Sequence, residues 1–328
     1  MRLVHVSDTD PGISRRRAGR GWAYYEPQGS LIRDPGVRAR IDALAVPPAY
    51  ADVWICPLEN GHLQATGRDE KGRKQYRYHP DYRALREETK FAELADFGRA
   101  LPELRAQVAA DMRRRKLSRE RVLATVVHLL ERAHIRIGND TYARENGSIG
   151  LTTMTEEHVE AGREVVRFTF TGKSGKERRL KLHDRRVSTT LRRLDDLPGQ
   201  HLFQWEDDDG GVHRVQSGDV NDWLREVTGA EWTAKIFRTW AATAICAQAL
   251  TEADPEVPRD RALLPAIDKA AKALGNTRAV CRSSYVHPAV LEAFEKDGWP
   301  GRRDMDGPVL GEERLSATER ALLNLISN

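Results

Sequence analysis

Cysteine is scarce in this chain: Cys56, Cys246 and Cys281 are three among 328 residues. Three thiols cannot all pair with one another, and their spacing matches no metal-ligand pattern. Neither a disulfide scaffold nor a zinc module is indicated, and reduced thiols are expected. Long apolar runs are missing too. The most apolar helical stretch, Trp240 to Leu250, falls well short of the ~20 residues that a membrane span needs. The opening MRLVHVSDTDPGISRRR contains no apolar stretch of the kind that marks a secretion signal. A soluble, cytoplasmic protein is expected. Gly172-Lys173-Ser174 suggests a phosphate-binding P-loop, but that motif needs a glycine at 167, where Arg167 stands. Internal repeats and low-complexity tracts are absent from the sequence. Charge of one sign is also missing in bulk: the net is only +4, so any nucleic-acid surface must come from local sorting of charge.

A chain of 328 residues is long for one domain, so two are expected. Apolar residues at 40% suffice for a core, and charged residues at 31% exceed the average. Residues 1–90 carry 16 Lys+Arg against 12 Asp+Glu, while the remainder carries 37 of each. The entire net charge therefore lies in the first part.

That first part alternates short β-type runs with turns: Trp22 to Tyr25, Val53 to Cys56, His62 to Thr66 and Gln75 to His79. Asn60-Gly61 is a hairpin signal between two of them. A short helix is expected over Val37 to Leu44, closed by Pro47-Pro48. From about Asp81 helical spacing takes over, over Tyr82 to Ala100 and then Ser118 to Ile135, with Ser118 as the expected N-cap. One β excursion follows, in which Glu164 to Phe170 alternates well and Thr171 to Gly175 forms a glycine-rich turn before a strand near Arg178 to Leu182. Helices resume over Ser217 to Val227, Thr233 to Leu250 and Arg261 to Leu274. The expected class is α+β: a small N-terminal antiparallel β-sheet domain over 1–88, then a larger, mainly α-helical domain over 89–328 with one β-hairpin. The boundary falls within 85–92.

The residues that carry chemistry are an ordered set. Arg136, Lys173, Lys235 and Arg238 precede Asn276 and Tyr285. Attack on a phosphodiester needs a nucleophile, neutralisation of charge at phosphorus, and a proton for the departing oxygen. Tyr285 supplies the first, provided nearby cations favour the anion of a phenol whose ordinary pKa is near ~10. Arg136 and Arg238 suit the second, because a guanidinium grips two phosphate oxygens in a planar fork and keeps its charge. Lys173, on a hairpin turn, suits the third, because an ammonium can give up a proton where a guanidinium does not readily do so. Asn276 is a neutral amide donor for a non-bridging oxygen. No metal or ATP enters this scheme, since the phosphotyrosine ester stores the bond energy for resealing.

In its motifs the chain resembles the bacterial type IB DNA topoisomerases, compact relatives of the poxvirus topoisomerase, over essentially its whole length. The carriers are His134-Ile-Arg-Ile-Gly-Asn139, Phe170-Thr-Gly-Lys-Ser-Gly-Lys176, Ala234-Lys-Ile-Phe-Arg-Thr239, Leu274-Gly-Asn-Thr277 and Ser284-Tyr285. The resemblance implies relaxation of supercoiled duplex DNA through a 3′-phosphotyrosyl bond to Tyr285, with Lys173 as general acid and no cofactor. It also implies a monomer that clamps double-stranded DNA, in a bacterial, nucleoid-associated setting. Arg73, Lys74, Gln75, Tyr76 and Tyr78 fall where the family's N-terminal domain meets DNA, and Tyr142 joins them as a DNA-binding candidate. Two positions depart from the family pattern. Asparagine stands at 276, where histidine is frequent, and can donate the same hydrogen bond without carrying charge. Asn139 and Thr141 occupy positions that are lysine in the viral form, so that form's pentanucleotide preference is not implied.

Each residue also has a plainer reading. Tyr285 alone would be a packed structural tyrosine, Lys173 a solvated turn lysine, and Arg238 the partner of a core carboxylate. Arg113 to Lys116 reads as a solvated helix face or a DNA patch, and Arg15 to Arg17 reads similarly or as a flexible arm. Lys71, Arg73, Lys74 and Arg77 interleaved with Tyr76 and Tyr78 suit a DNA surface, although strand tyrosines commonly belong to a core. Two rival functions remain open at this point. A tyrosine recombinase shares the nucleophile and the cations, but usually has histidine where Lys235 stands. A non-catalytic clamp would use the cations only to hold phosphates.

Overall fold

A computed structural model of the chain describes residues 2–70, 72–296, 299 and 314–327, without the side chains of 86–88, 142 and 174. Two compact units are present, Met1–Thr89 and Lys90–Asn328.

In the first unit, β1 (Ile13–Ala18), β2 (Gly21–Tyr25), β3 (Ala51–Ile55), β4 (Leu63–Arg68) and β5 (Lys74–Tyr78) form one antiparallel sheet in the order β2-β1-β3-β4-β5. The α1 helix (Pro35–Ala43) starts where Asp34 Oδ1 accepts from the amide of Val37 at 2.8 Å, with proline in the first turn, where its fixed φ suits a helix start. Ile13, Tyr24, Ile41, Ile55 and Ala65 are buried together as the core.

The Arg15 to Arg17 run is a strand, not a flexible arm. Its backbone pairs with Trp22 to Tyr24. The Arg15 guanidinium donates to the carbonyls of Pro47 and Tyr50 at 2.8 and 2.7 Å and lies 4.1 Å from the centroid of the Trp22 ring. Arginine has no strong β-preference; these carbonyl and ring partners come from elsewhere in the unit and hold the strand.

The α2 helix (Pro80–Met112) spans the division between the units. The second unit continues with α3 (Arg119–Arg132), α4 (Asp140–Asn146), β6 (Val159–Ala161), β7 (Val165–Thr171), β8 (Glu177–His183), α5 (Arg185–Asp195), β9 (Gln204–Glu206) and β10 (Val212–Arg214). Then come α6 (Ser217–Thr228), α7 (Lys235–Thr251), α8 (Arg259–Leu274), α9 (Arg278–Ser284), α10 (Pro288–Lys296) and α11 (Ala317–Ile326). The β7–β8 hairpin is present and gains β6 as a third strand, and β9 pairs with β10 as a separate ribbon.

Nearly all of α3 from Arg121 to Leu130 is buried, and it packs on α5, α6 and α7. Phe97 of α2 makes edge-on contacts with Trp232 and with Phe237 of α7, at 5.4 and 5.1 Å between ring centroids. A polar clasp closes this core. Arg105 of α2 reaches Glu131 of α3 at 2.6 Å and Glu319 of α11 at 2.7 Å, and Trp240 Nε1 donates to Glu319 at 2.9 Å.

Ser118 occupies the N-cap position of α3, but its hydroxyl donates to the Glu120 carboxylate instead of accepting from a helix amide. Arg113 to Lys116 lies between α2 and α3 and not on a helix face. Arg114 pairs there with Asp111 at 2.7 Å and Lys116 with Asp208 at 3.0 Å. All three cysteines are buried free thiols. Burial pushes Cys246 up to about 12 and Cys281 up to about 11, so neither is a thiolate nucleophile.

Candidate active site

Four segments of the second unit bring the sequence-ordered residues together. After α3 ends, His134 adopts a left-handed backbone (φ 53°), which turns the chain so that Ile135 is buried and Arg136 follows half-exposed. The turn is sealed by Leu151, whose amide donates to the Arg136 carbonyl at 2.9 Å. Gly150 is needed beside it: a Cβ there would lie 2.5 Å from the Gly138 backbone and 2.7 Å from the Arg136 carbonyl.

Arg238 sits in the first turns of α7 and is only 4% exposed. The plainer reading gave it a core carboxylate, and among the described residues it has none. Its guanidinium donates instead to the His134 carbonyl, to the Leu274 carbonyl at 2.9 Å, and at 3.5 Å to Asn276 Oδ1. Burial, then the charge of Arg136, lowers its pKa to about 10. Burial likewise keeps the neighbouring His134 imidazole neutral, at about 4, with Arg238 adding to the effect.

Asn276 follows the left-handed Gly275 (φ 67°) that ends α8. Its amide oxygen also accepts from Arg136 Nη2 at 2.7 Å, so one neutral oxygen bridges two guanidiniums. Its Nδ2 is buried with no hydrogen-bond partner among the described residues. An unmade donor of this kind costs free energy, roughly 1–3 kcal/mol. Its position among cations suits an incoming anion.

Tyr285 caps the C-terminus of the short α9, with its amide donating to the Cys281 carbonyl at 3.0 Å. The Thr243 hydroxyl of α7 lies 3.0 Å from the Tyr285 carbonyl and accepts from the His287 amide at 3.1 Å, which staples the turn to α7. The half-buried ring lies 5.4 Å from Arg238 Cζ. Burial alone would raise the phenol pKa. The charges of Arg238, Arg136 and Lys235, with a hydrogen bond from Arg238, outweigh it and bring the group below its ordinary value.

Arg136, Arg238, Asn276 and Tyr285 are therefore one cluster. Lys235 stands exposed as the first residue of α7, close enough for its charge to act on Tyr285. Lys173 is exposed in the turn between β7 and β8, and no hydrogen bond or ion pair joins it to the cluster among the described residues.

One further cation belongs here that sequence reasoning missed. Arg178 of β8 is half-buried; burial, then Arg136, lowers its pKa, and its own charge depresses that of Arg238. Among the described residues, none of these three arginines pairs with a carboxylate. Several like charges, a free amide donor and an activated phenol make a site that can accept a phosphate and attack it.

In the first unit, Arg73, Lys74, Gln75, Tyr76 and Tyr78 lie on or beside the edge strand β5. The two tyrosines are not core. They are 45% and 40% exposed, and their rings stack 6.0 Å apart. The polar side chains are already engaged: Lys74 with Asp8 at 2.5 Å, Arg73 with Asp69 at 2.6 Å, and Gln75 Nε2 donating to Asp69 at 3.0 Å. Thr66 also donates to Asp8, at 2.9 Å. Burial would raise the Asp8 pKa, but Lys74 and Thr66 prevail and lower it. The side chain of Tyr142 and the whole of Lys71 lie outside the described residues.

Among the described residues, no group of His, Cys, Asp and Glu side chains could hold a metal, and no helix is long and apolar enough to cross a membrane.

Comparison with known proteins gives the same family from two directions. The family described as eukaryotic DNA topoisomerase I, catalytic core, matches residues 79–298, and that described as bacterial DNA topoisomerase IB, N-terminal domain, matches residues 21–69. A DNA topoisomerase 1B of Acanthamoeba polyphaga mimivirus is 31% identical over 296 residues, covering 87% of this chain and 88% of the viral one. A solved site-specific recombinase, XerH, bound to palindromic difH substrate in a post-cleavage complex, is 15% identical, with a TM-score of 0.33. That match covers 67% of this chain and 55% of the recombinase, and so weak a likeness bears on neither fold nor function.

Proposed function

The chain belongs to the type IB DNA topoisomerase family and is an isomerase that relaxes DNA, and we propose that it does so through a covalent bond between Tyr285 and a strand 3′-phosphate. The phenolate attacks the scissile phosphorus, forming a Tyr–O–P bond while the P–O5′ bond breaks. Arg136, Arg238 and the free Nδ2 of Asn276 hold the non-bridging oxygens as charge builds on them. Lys173 gives its proton to the departing 5′-oxygen, and Lys235 adds positive potential at the phenol. The freed 5′-hydroxyl strand swivels, then attacks the ester as Lys173 takes its proton back, restoring both the DNA and the phenolate. Bond energy is conserved in the ester, so neither ATP nor a metal is required.

The observation that carries this reading is Arg238, a nearly fully buried cation with no carboxylate partner among the described residues, tied to Arg136 by one amide oxygen and facing the Tyr285 ring. A buried guanidinium without a counter-charge is costly unless an anion arrives there.

On the DNA-gripping side, Tyr76 and Tyr78 pack against the sugar–phosphate surface, with Arg73, Lys74 and Gln75 gripping it and Tyr142 aiding from the second unit. A monomer holds double-stranded DNA with both units.

The test is relaxation of negatively and positively supercoiled plasmid in EDTA without ATP, alongside Tyr285→Phe. Relaxation of both topoisomers by the wild type, and its loss in the variant with DNA binding retained, is expected. An active Tyr285→Phe protein refutes the assignment. Strand exchange without relaxation would favour a recombinase.

A further inference from the structure

Arg178 lies five residues beyond Lys173 on the same hairpin, opposite Phe170 in the β7–β8 register. Its stem passes over the hairpin turn, where a Cβ at Gly172 would come 3.2 Å from its Cγ. The guanidinium then leaves the sheet and donates to the carbonyls of Ala273 at 2.9 Å and Lys272 at 3.4 Å. Both belong to the last turn of α8, at the negative end of its dipole, where the Lys272 carbonyl also accepts from the Gly275 amide at 3.2 Å. Room for this crossing comes from Gly275, since a Cβ there would lie 2.0 Å from Arg178 Nη1. Asn276 is the next residue. One side chain thus joins the hairpin bearing Lys173 to the helix end bearing Asn276, although placing a third guanidinium beside Arg136 and Arg238 raises the repulsion among them.

We propose that Arg178 is a positioning residue: it holds the Lys173 hairpin against the end of α8, so that the ammonium faces the leaving 5′-oxygen of a phosphate bound by Asn276, Arg136 and Arg238. The inference rests on the role assigned to Lys173 above, and it goes beyond it by naming what places that lysine. Each of its two Nη groups makes a contact with a helix carbonyl, at 3.4 and 2.9 Å, so Arg178 is assigned to holding the hairpin and the phosphate to the other three residues.

The experiment is single-turnover cleavage of a duplex oligonucleotide with one cleavage site, carrying either the normal bridging 5′-oxygen or a bridging 5′-sulfur. A thiolate leaves without a proton, so a defect in proton delivery disappears on the sulfur substrate while a defect in phosphate binding persists. Wild type, Arg178→Ala, Arg178→Lys, Lys173→Ala and the Arg178→Ala/Lys173→Ala double variant are compared, with DNA binding and thermal unfolding measured on each.

On the oxygen substrate Arg178→Ala slows cleavage about 10²-fold, the scale of an ångström-sized misplacement of a catalytic group, and Lys173→Ala slows it about 10²- to 10⁴-fold. Arg178→Lys, which keeps a donor for one carbonyl, falls between Arg178→Ala and wild type. On sulfur, both alanine variants return to within about threefold of wild type, and the double variant is no slower on oxygen than Lys173→Ala alone. Equal slowing of Arg178→Ala on oxygen and sulfur, with Lys173→Ala rescued, overturns the proposal and makes Arg178 a phosphate ligand or a purely structural residue. Additive losses in the double variant, or a normal rate for Arg178→Ala, overturn it as well. Failure of Lys173→Ala to respond to sulfur removes Lys173 as the acid, and the inference falls with that reading.

Discussion

Replacing Asn276 by aspartate should stabilise the protein and inactivate it together. The substitution is nearly isosteric, so Oδ1 keeps its contacts with Arg136 and Arg238 at 2.7 and 3.5 Å. The new oxygen takes the place of Nδ2, a buried donor that now has no partner among the described residues. The variant therefore gains a negative charge among cations and loses an unsatisfied donor. A carboxylate beside arginine is depressed by roughly one to three pKa units, each unit being about 1.4 kcal/mol. Burial takes back part of this, leaving about 1–2 kcal/mol at pH 7, or about 2–8 °C in Tm for a unit of this size.

The sign with pH follows from the folded pKa lying below the unfolded value of about 3.9. The gain is fully present above that unfolded pKa, and it is lost as pH falls through the folded one. Catalysis moves the other way. An acceptor facing a phosphate oxygen in place of a donor removes one stabilising hydrogen bond and adds repulsion, so cleavage falls about 10³-fold or more. Calorimetry between pH 3 and 8 and single-turnover cleavage read the two effects. A variant less stable than wild type at pH 7, or one that still cleaves at the wild-type rate, would falsify the picture of an anion site bridged by one amide.

Three further outcomes are expected. With DNA saturating, the cleavage rate rises with pH as the phenol ionises and levels off below the ordinary phenol pKa, because Arg238, Arg136 and Lys235 outweigh the effect of burial; in Arg238→Ala the break moves upward, since burial then acts with less opposition. Asp8→Asn frees Lys74 from its ion pair, tightening DNA binding by roughly 1 kcal/mol and steepening the dependence of log K on log salt by about one unit in a titration. Glu319→Ala leaves Arg105 and Trp240 short of a partner and costs about 3 kcal/mol of unfolding free energy; the Glu319 pKa is lowered by Arg105 against the effect of burial, so the wild-type advantage is present above the unfolded carboxylate pKa and fades as pH falls through the folded one.

Much of the fold was readable in the sequence because its elements carry strong local signals. Helix α8 shows its apolar spacing and ends at Gly275, and β7 alternates from Val165 to Thr171 in register with its partner. The cluster of Arg136, Arg238, Asn276 and Tyr285 could be nominated because those residue types suit attack on a phosphate and because the motifs that carry them resemble those of the type IB family. What escaped notice depends on distant partners. The strand at Arg15 to Arg17 exists because of carbonyls near residue 50 and a tryptophan across the sheet, none of which a β-propensity registers. Strands β6, β9 and β10 are three residues each, too short to show alternation. The pairing of Lys74 with Asp8 joins residues 66 positions apart in sequence, which no local pattern registers. Arg178 looked like any strand arginine, since its distinguishing contacts lie 94 and 95 residues further on.

The crossing of Arg178 over Gly275 makes those two positions answerable to each other over generations. Any side chain at 275 would meet the guanidinium and strain a left-handed backbone at once; the flexible end of Arg178 can swing aside, but only by leaving its helix carbonyls, so such a change costs the tether as well as the backbone strain. A shorter residue at 178 leaves glycine with room to spare but gives up the contacts that tie the Lys173 hairpin to the end of α8. Descent should therefore show an asymmetry: a lineage without arginine at 178 needs glycine at 275 for its backbone alone, whereas one that keeps the arginine needs glycine there for both backbone and room.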